Sequence, residues 1–170
     1  TWPATASVAF TTICAMVIAP PVIDDGWLTT MGRKFSALGY VTNYFHNAWP
    51  AMPQGHWLTA LSQLWLDTAE NVLLMRSASA IAAIASWLIL KRWVLQPIAA
   101  NCNSKLPIYF AAVVYLPWVA VPMMTLRYEP IIVLLWSIGL AAVMQVFKSG
   151  SPSAFATVLA VGALGVIAHQ

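Results

Sequence analysis

The sequence predicts an all-α, multi-pass transmembrane helical bundle, and three observations carry that expectation. The chain of 170 residues is 61% hydrophobic and only 8% charged, where a soluble domain carries roughly a quarter charged residues. Its apolar residues gather into five runs near the length that crosses roughly 30 Å of hydrocarbon as a helix. Its charged residues sort between alternate connections of those runs. So much apolar surface cannot be hidden from water in a domain of this size, so the bilayer has to be its solvent.

The first run, about 4–20, ends at Pro20-Pro21, which removes backbone donors and fixes φ. The segment 21–70 that follows is too polar to span. It is also too aromatic to lie free in water, with Trp27, Tyr40, Tyr44, Phe45, Trp49, Trp57 and Trp65 spread along it. Within it, Trp27, Leu28, Met31, Phe35 and Leu38 fall at helical spacing while Arg33 and Lys34 lie off that face. This predicts a short amphipathic helix lying on the outer leaflet. A second such helix is expected around Trp57–Leu66, after the Pro50–Gly55 turn. Most of the aromatics read as an interfacial belt.

Four more runs follow, at about 71–90, 106–124, 130–147 and 152–168. Pro130 and Pro152 suit the first turn of a helix, where a missing N–H is harmless. Pro117 and Pro122 fall inside the third run. They predict a kink or early unwinding, tolerable where the freed carbonyls face protein or a wet cavity.

With five spans the connections alternate sides. Lys91, Arg92, Lys105 and Lys148 fall in two connections without an acid, which makes that side cytoplasmic by the positive-inside rule. Asp24, Asp25, Asp67, Glu70 and Glu129 then all lie outside, with Arg33, Lys34, Arg76 and Arg127. Cys14 falls in a helix and Cys102 in a cytoplasmic connection, so no disulfide is expected.

The charge balance excludes some functions. A net charge of +3 reflects a shortage of acids, and no Lys/Arg stripe with interleaved aromatics points to nucleic acid. His46, His56 and His169 stand apart from one another and from both cysteines, so no zinc site is expected. No charged segment precedes the first apolar run as a secretory signal requires. The chain, opening and closing in apolar runs, reads as a piece of a larger protein.

The chemistry concentrates at Asp24-Asp25-Gly26-Trp27. Adjacent carboxylates repel each other and resist desolvation, the more so near a bilayer. They serve either as a solvated helix-terminal turn or as a pair that takes a proton or grips a cation. Arg76 sits about six residues into the second run, where a guanidinium either snorkels outward or lines a water-filled site. Arg127 and Glu129 bound a short outer connection; Arg127 is placed to hold a phosphate bidentately, or else pairs locally with Glu129. His56 beside Trp57 is a donor or an interfacial imidazole. Together these residues would suit a lipid-phosphate donor, with the phosphate on arginine, the polyprenyl tail along the bundle, and an Asp deprotonating an acceptor hydroxyl.

Asp24-Asp25-Gly26-Trp27-Leu28-Thr29-Thr30-Met31, followed by Gly39-Tyr40-Val41-Thr42-Asn43-Tyr44-Phe45, resembles the Emb-type arabinosyltransferases of the mycobacterial and corynebacterial cell wall. Leu74-Met75-Arg76, Leu126-Arg127-Tyr128-Glu129 and Leu164-Gly165-Val166 match in order and approximate spacing, so the resemblance covers nearly the whole chain. The acid pair alone is shared by many polyprenyl-phosphate-dependent enzymes of the GT-C type; its combination with Gly-Tyr-x-x-Asn-Tyr-Phe is far more specific. The resemblance implies a GT-C-like fragment, the N-terminal part of a plasma-membrane core with its active site on the extracytoplasmic face. Such an enzyme transfers arabinofuranose from decaprenyl-phospho-arabinose to the arabinan of arabinogalactan or lipoarabinomannan, needs no cofactor and no metal at the transfer step, and assembles with like or related subunits. Asp24 would be its base and Asp25 would assist. Arg127 and Arg76 would hold the donor phosphate. Trp27, Met31, Asn43, His56, Trp57 and Glu129 would line the acceptor pocket, with Met31 beside the place the drug ethambutol occupies. One departure stands out: Met52-Pro53-Gln54-Gly55-His56 holds no acid where the family tends to carry one. Tyr128 also stands where Pro is common. The departure keeps an alternative open, a non-catalytic membrane subunit that supports a partner enzyme.

Overall fold

The computed structural model describes residues 1–18, 71–120 and 129–169 together with Leu61, Trp65 and Ala69, and side chains as far as residue 165. Among these residues all regular structure is helical. Each of the five apolar runs contains a helix. They are α1 (Trp2–Ile18), α2 (Val72–Ile89), α4 (Leu106–Ala120), α5 (Glu129–Ser149) and α6 (Pro152–His169), with a short α3 (Gln96–Asn101) between the second and third.

Local signals set several ends. Asn71 caps α2, its side-chain oxygen accepting from the Leu74 N–H at 2.9 Å, which satisfies one of the orphan donors of a first turn. Pro130 and Pro152 sit in the first turns of α5 and α6. Gly150 ends α5 with φ of 61° and its N–H on the Val146 carbonyl at 2.8 Å, a left-handed stop that glycine adopts freely. Pro117 does not end α4, which continues through it to Ala120; Pro122 and the turn at Pro20-Pro21 lie outside the described residues.

The second run departs from expectation. The sequence placed Lys91 and Arg92 in a connection, yet the helix runs on. A π-helical segment, Leu90–Leu95, joins α2 to α3, making a continuous 30-residue helix to Asn101. Both cations find partners: Lys91 Nζ donates to Thr5 Oγ1 of α1 at 2.7 Å, and Arg92 Nη1 to Gln96 Oε1 at 3.3 Å. Only Lys105 is left in the short connection to α4. Cys102 is the C-cap of α3 and exposed, and both it and Cys14 are free thiols.

The helix contacts fix the directions. Met16 meets Arg76 at one end of α1 and Thr5 meets Trp87 and Lys91 at the other, so α1 and α2 are antiparallel. Val8 packs with Ile108, and Ala15 with Val119, so α4 runs parallel to α1. Val133 packs with Ala80 and Ala83, which sets α5 parallel to α2, and Gly139 faces Val161, which brings α6 beside α5. Successive long helices therefore alternate in direction. Small residues (Ala4, Ala15, Ala80, Ala83, Ala112) let the backbones approach, the packing expected where lipid removes the hydrophobic drive between helices. Buried hydroxyls turn back on their own helices: Thr12 on Val8 O, Ser86 on Ala82 O and Ser137 on Val133 O, each at 2.7 Å.

Among the described residues, many large apolar side chains face outward. Trp2, Phe10, Ile18, Leu106, Phe110, Trp136 and Phe147 are all exposed, Phe147 to 85%. That distribution is unfavourable in water and suited to lipid or further protein. Two helices, Val72–Asn101 and Pro130–Ser149, are long and apolar enough to cross a membrane, and three shorter apolar helices accompany them. Of the expected helix at Trp57–Leu66, Leu61 and Trp65 are helical; the rest, and the helix expected over Gly26–Leu38, lie outside the described residues.

The α5–α6 contact gives a stability prediction. A Cβ on Gly139 would stand 3.1 Å from Val161 Cγ1, whereas one on Gly162 would meet nothing within 4 Å. Gly162→Ala should stabilise by up to about 1 kcal/mol through helix propensity. Gly139→Ala should forfeit that gain to the clash. Thermal unfolding of both variants in detergent, beside the parent, checks the contrast.

Candidate functional site at the acidic end of the bundle

The alternating helices put the end of α1, the start of α2, the end of α4 and the start of α5 at one end of the bundle. In sequence, Asp24 and Asp25 come six and seven residues after Ile18, and Arg127 falls between Ala120 and Glu129. Asp24, Asp25, Trp27, Met31, Asn43, His56, Trp57 and Arg127 lie outside the described residues. Glu129 opens α5, and its side chain is outside them as well.

Arg76 is described in full. It stands in the second turn of α2, buried to 4% exposure. Its Nη1 donates to the Met16 carbonyl at 3.3 Å. Met16 lies in the last turn of α1, where carbonyls have no partner within the helix and carry the negative end of its dipole. Arg76 therefore turns inward against α1, and of the two alternatives the sequence left open, outward snorkelling is not the one adopted. Its Nε is buried without a hydrogen-bond partner. A buried, unsatisfied charged donor is rare and unfavourable unless something meets it.

Nearby, Trp65 Nε1 donates to the Leu74 carbonyl at 3.0 Å, and Trp65 packs on Ala69 and Met75. This braces the chain just before α2. Deeper in, Tyr115 Oη donates to the Ala83 carbonyl at 2.9 Å and its ring lies 5.6 Å from that of Trp87. Sequence reasoning passed over Tyr115, Thr5 and Trp87. The available signal was a polar tip on an otherwise apolar run, which calls for a buried partner.

A groove of 1070 Å³ lies between the π-helical segment, α4, α5 and α6, lined by Leu90, Tyr115, Trp118, Trp136, Val158 and Val161 among others. Its polar groups are few, and it can hold an apolar chain rather than perform chemistry. Among the described residues no three His, Cys, Asp or Glu side chains come together.

The described residues thus define a helical protein with two helices fit to cross a membrane, and with a buried arginine held at the end where the acidic residues cluster in sequence. The chain belongs to the family of mycobacterial cell wall arabinan synthesis proteins, whose model matches residues 3–169. It is 32% identical over 155 residues to the probable arabinosyltransferase B of Mycobacterium tuberculosis, covering 88% of this chain and 14% of that protein. It is 33% identical over 138 residues to the probable arabinosyltransferase A of the same organism, covering 77% of this chain and 12% of that one. The probable arabinosyltransferase C of Mycolicibacterium smegmatis is 32% identical over 115 residues, 65% of this chain and 10% of the relative. The chain spans about one seventh of the longest-matched relatives' length. No solved structure matches it.

Proposed function

We propose that this chain is part of the membrane core of a polyprenyl-phosphate-dependent arabinosyltransferase, a multi-pass GT-C bundle in the plasma membrane. The carrying observation is the family match over residues 3–169, which includes the Asp24-Asp25-Gly26-Trp27 motif just beyond α1. The donor is decaprenyl-phospho-arabinose and the acceptor is the growing arabinan of arabinogalactan or lipoarabinomannan.

In this reading Asp24 takes the proton of an acceptor hydroxyl as that oxygen bonds to the anomeric carbon. The bond from that carbon to the donor phosphate oxygen breaks, and decaprenyl phosphate leaves with the electron pair. Arg127 and Arg76 hold the phosphate and stabilise the charge that grows on it. Arg76 supports the assignment in having a buried Nε still without a partner. Asp25 positions Asp24. Trp27, Met31, Asn43, His56, Trp57 and Glu129 line the acceptor pocket. The groove beside Tyr115 and Trp136 has the volume and apolar lining to receive part of the prenyl tail. Assembly with like or related subunits belongs to the same reading.

The loop Met52–His56, which lacks an acid, favours a second reading, a non-catalytic subunit that supports a partner enzyme. The two readings part at Asp24, as the Discussion argues.

The topology has its own test. With Cys14 and Cys102 replaced by Ser, Thr29→Cys should label from the outside of intact cells and Asn103→Cys only after permeabilisation. Labelling of both from outside would remove the charge-based orientation and the extracytoplasmic site with it.

A further inference from the structure

We infer that Arg76 is also a positioning residue, a clamp that fixes the end of α1 from which the chain runs to the acid pair. The inference rests on the arabinosyltransferase reading only for its catalytic consequence; the clamp itself stands on described atoms.

Arg76 and Met16 are 60 residues apart in sequence, yet the Nη1–carbonyl bond of 3.3 Å joins them across the α1–α2 interface. The bond closes on a last-turn carbonyl, the group of a helix most in need of an external donor. Among the described residues, the rest of the packing at this end of α1 is hydrophobic. Ala15 and Met16 pack with Ala80, Ala83 and Val119, and Val17 and Ile18 are exposed. At the opposite end of α1, Thr5 accepts from both Trp87 and Lys91. The helix is thus tied to α2 by polar contacts near its two ends, and between them Val8 and Ala15 pack in clusters with Trp87, Ile108, Ala80, Ala83 and Val119. Removing the Arg76 pin frees the end from which Asp24 follows six residues later. A guanidinium has donors enough to keep Met16 while its free Nε meets an anion, so one side chain joins the donor phosphate to the segment that carries the base.

The test uses the intact full-length enzyme with native cysteines replaced and spin labels at Ile18→Cys and Ile81→Cys, both exposed positions. The distance distribution between them is measured in the parent, in Arg76→Met and in Arg76→Lys, alongside kcat and the KM for donor. A clamp predicts a broadened distribution and a kcat lower by roughly 10- to 100-fold in Arg76→Met, the scale of a small misplacement of a reacting group. Arg76→Lys, which keeps a charged donor for the Met16 carbonyl, should restore the narrow distribution and most of kcat. An unchanged distribution in Arg76→Met overturns the clamp. A broadened distribution with kcat intact and only donor KM raised leaves Arg76 a phosphate ligand and overturns positioning. Asp24→Asn is assayed in parallel. Should it transfer normally, the catalytic reading fails, while the spin-label distances still judge the clamp.

Discussion

Asp24→Asn in the intact enzyme is expected to lower arabinan transfer by roughly 10²–10⁴-fold, the usual scale of lost general-base help. The amide keeps the size of the carboxylate and can still accept a hydrogen bond, but it has no affinity for the acceptor proton at neutral pH. Asp25→Asn should cost less, because its assigned role is to hold Asp24 and keep the pair's charge. Membranes carrying each variant at matched protein levels, assayed for arabinan transfer, give the comparison. A supporting subunit without catalysis predicts the opposite: complexes assemble and transfer is untouched by either change. Near-parental transfer with Asp24→Asn would end the catalytic assignment.

The effect is read only against a bundle that still assembles, and the structure indicates that it will. Packing of the described helices rests on Val8, Ala15, Ala83, Trp87, Ile108 and Val119, all within the apolar runs. Asp24 and Asp25 come six and seven residues after the last residue of α1 in sequence. Changing one carboxylate to an amide there removes no apolar burial, so matched protein levels are a reasonable demand.

How much of this was legible in the sequence varies from element to element. The helices were, because apolar runs punctuated by Pro130, Pro152 and Gly150 leave little choice of start and stop. Where the ends are described, the bounds moved by only a residue or two except beyond Leu90; the expected ends at 20 and 124 lie outside the described residues. There Lys91 and Arg92 read as a loop because charges are unfavourable at membrane depth. Thr5, far off in sequence, accepts from one and Gln96 from the other. Pro97 sits in the first turn of α3, where the π segment before it has already shifted the hydrogen-bond register. That Arg76 either snorkels outward or lines a water-filled site was legible; that it donates to a backbone carbonyl of α1 was not, since every residue carries the same carbonyl and only packing selects one. The acid pair and its companions were legible by motif, and their arrangement lies outside the described residues.

Arg127 carries the second large effect. Arg127→Ala is expected to weaken use of the lipid-phosphate donor by about 1.5–3 kcal/mol, the contribution of a hydrogen bond to a charged group. At about tenfold per 1.4 kcal/mol, that is a rise in donor KM of roughly 10- to 150-fold. Folding should be little affected. Arg127 falls in the eight residues between α4 and α5 in sequence. Arg127→Lys separates charge from geometry: an ammonium keeps the attraction but loses the planar fork that grips two phosphate oxygens at once, so it should recover part of the loss and not all of it. The competing arrangement is a local ion pair with Glu129, worth at most about 1 kcal/mol at a surface. It predicts that Arg127→Ala and Glu129→Gln behave alike, each leaving donor KM where it was. Titrating the donor against membranes of the three variants distinguishes the two, and an unchanged KM in Arg127→Ala would return the arginine to a structural role.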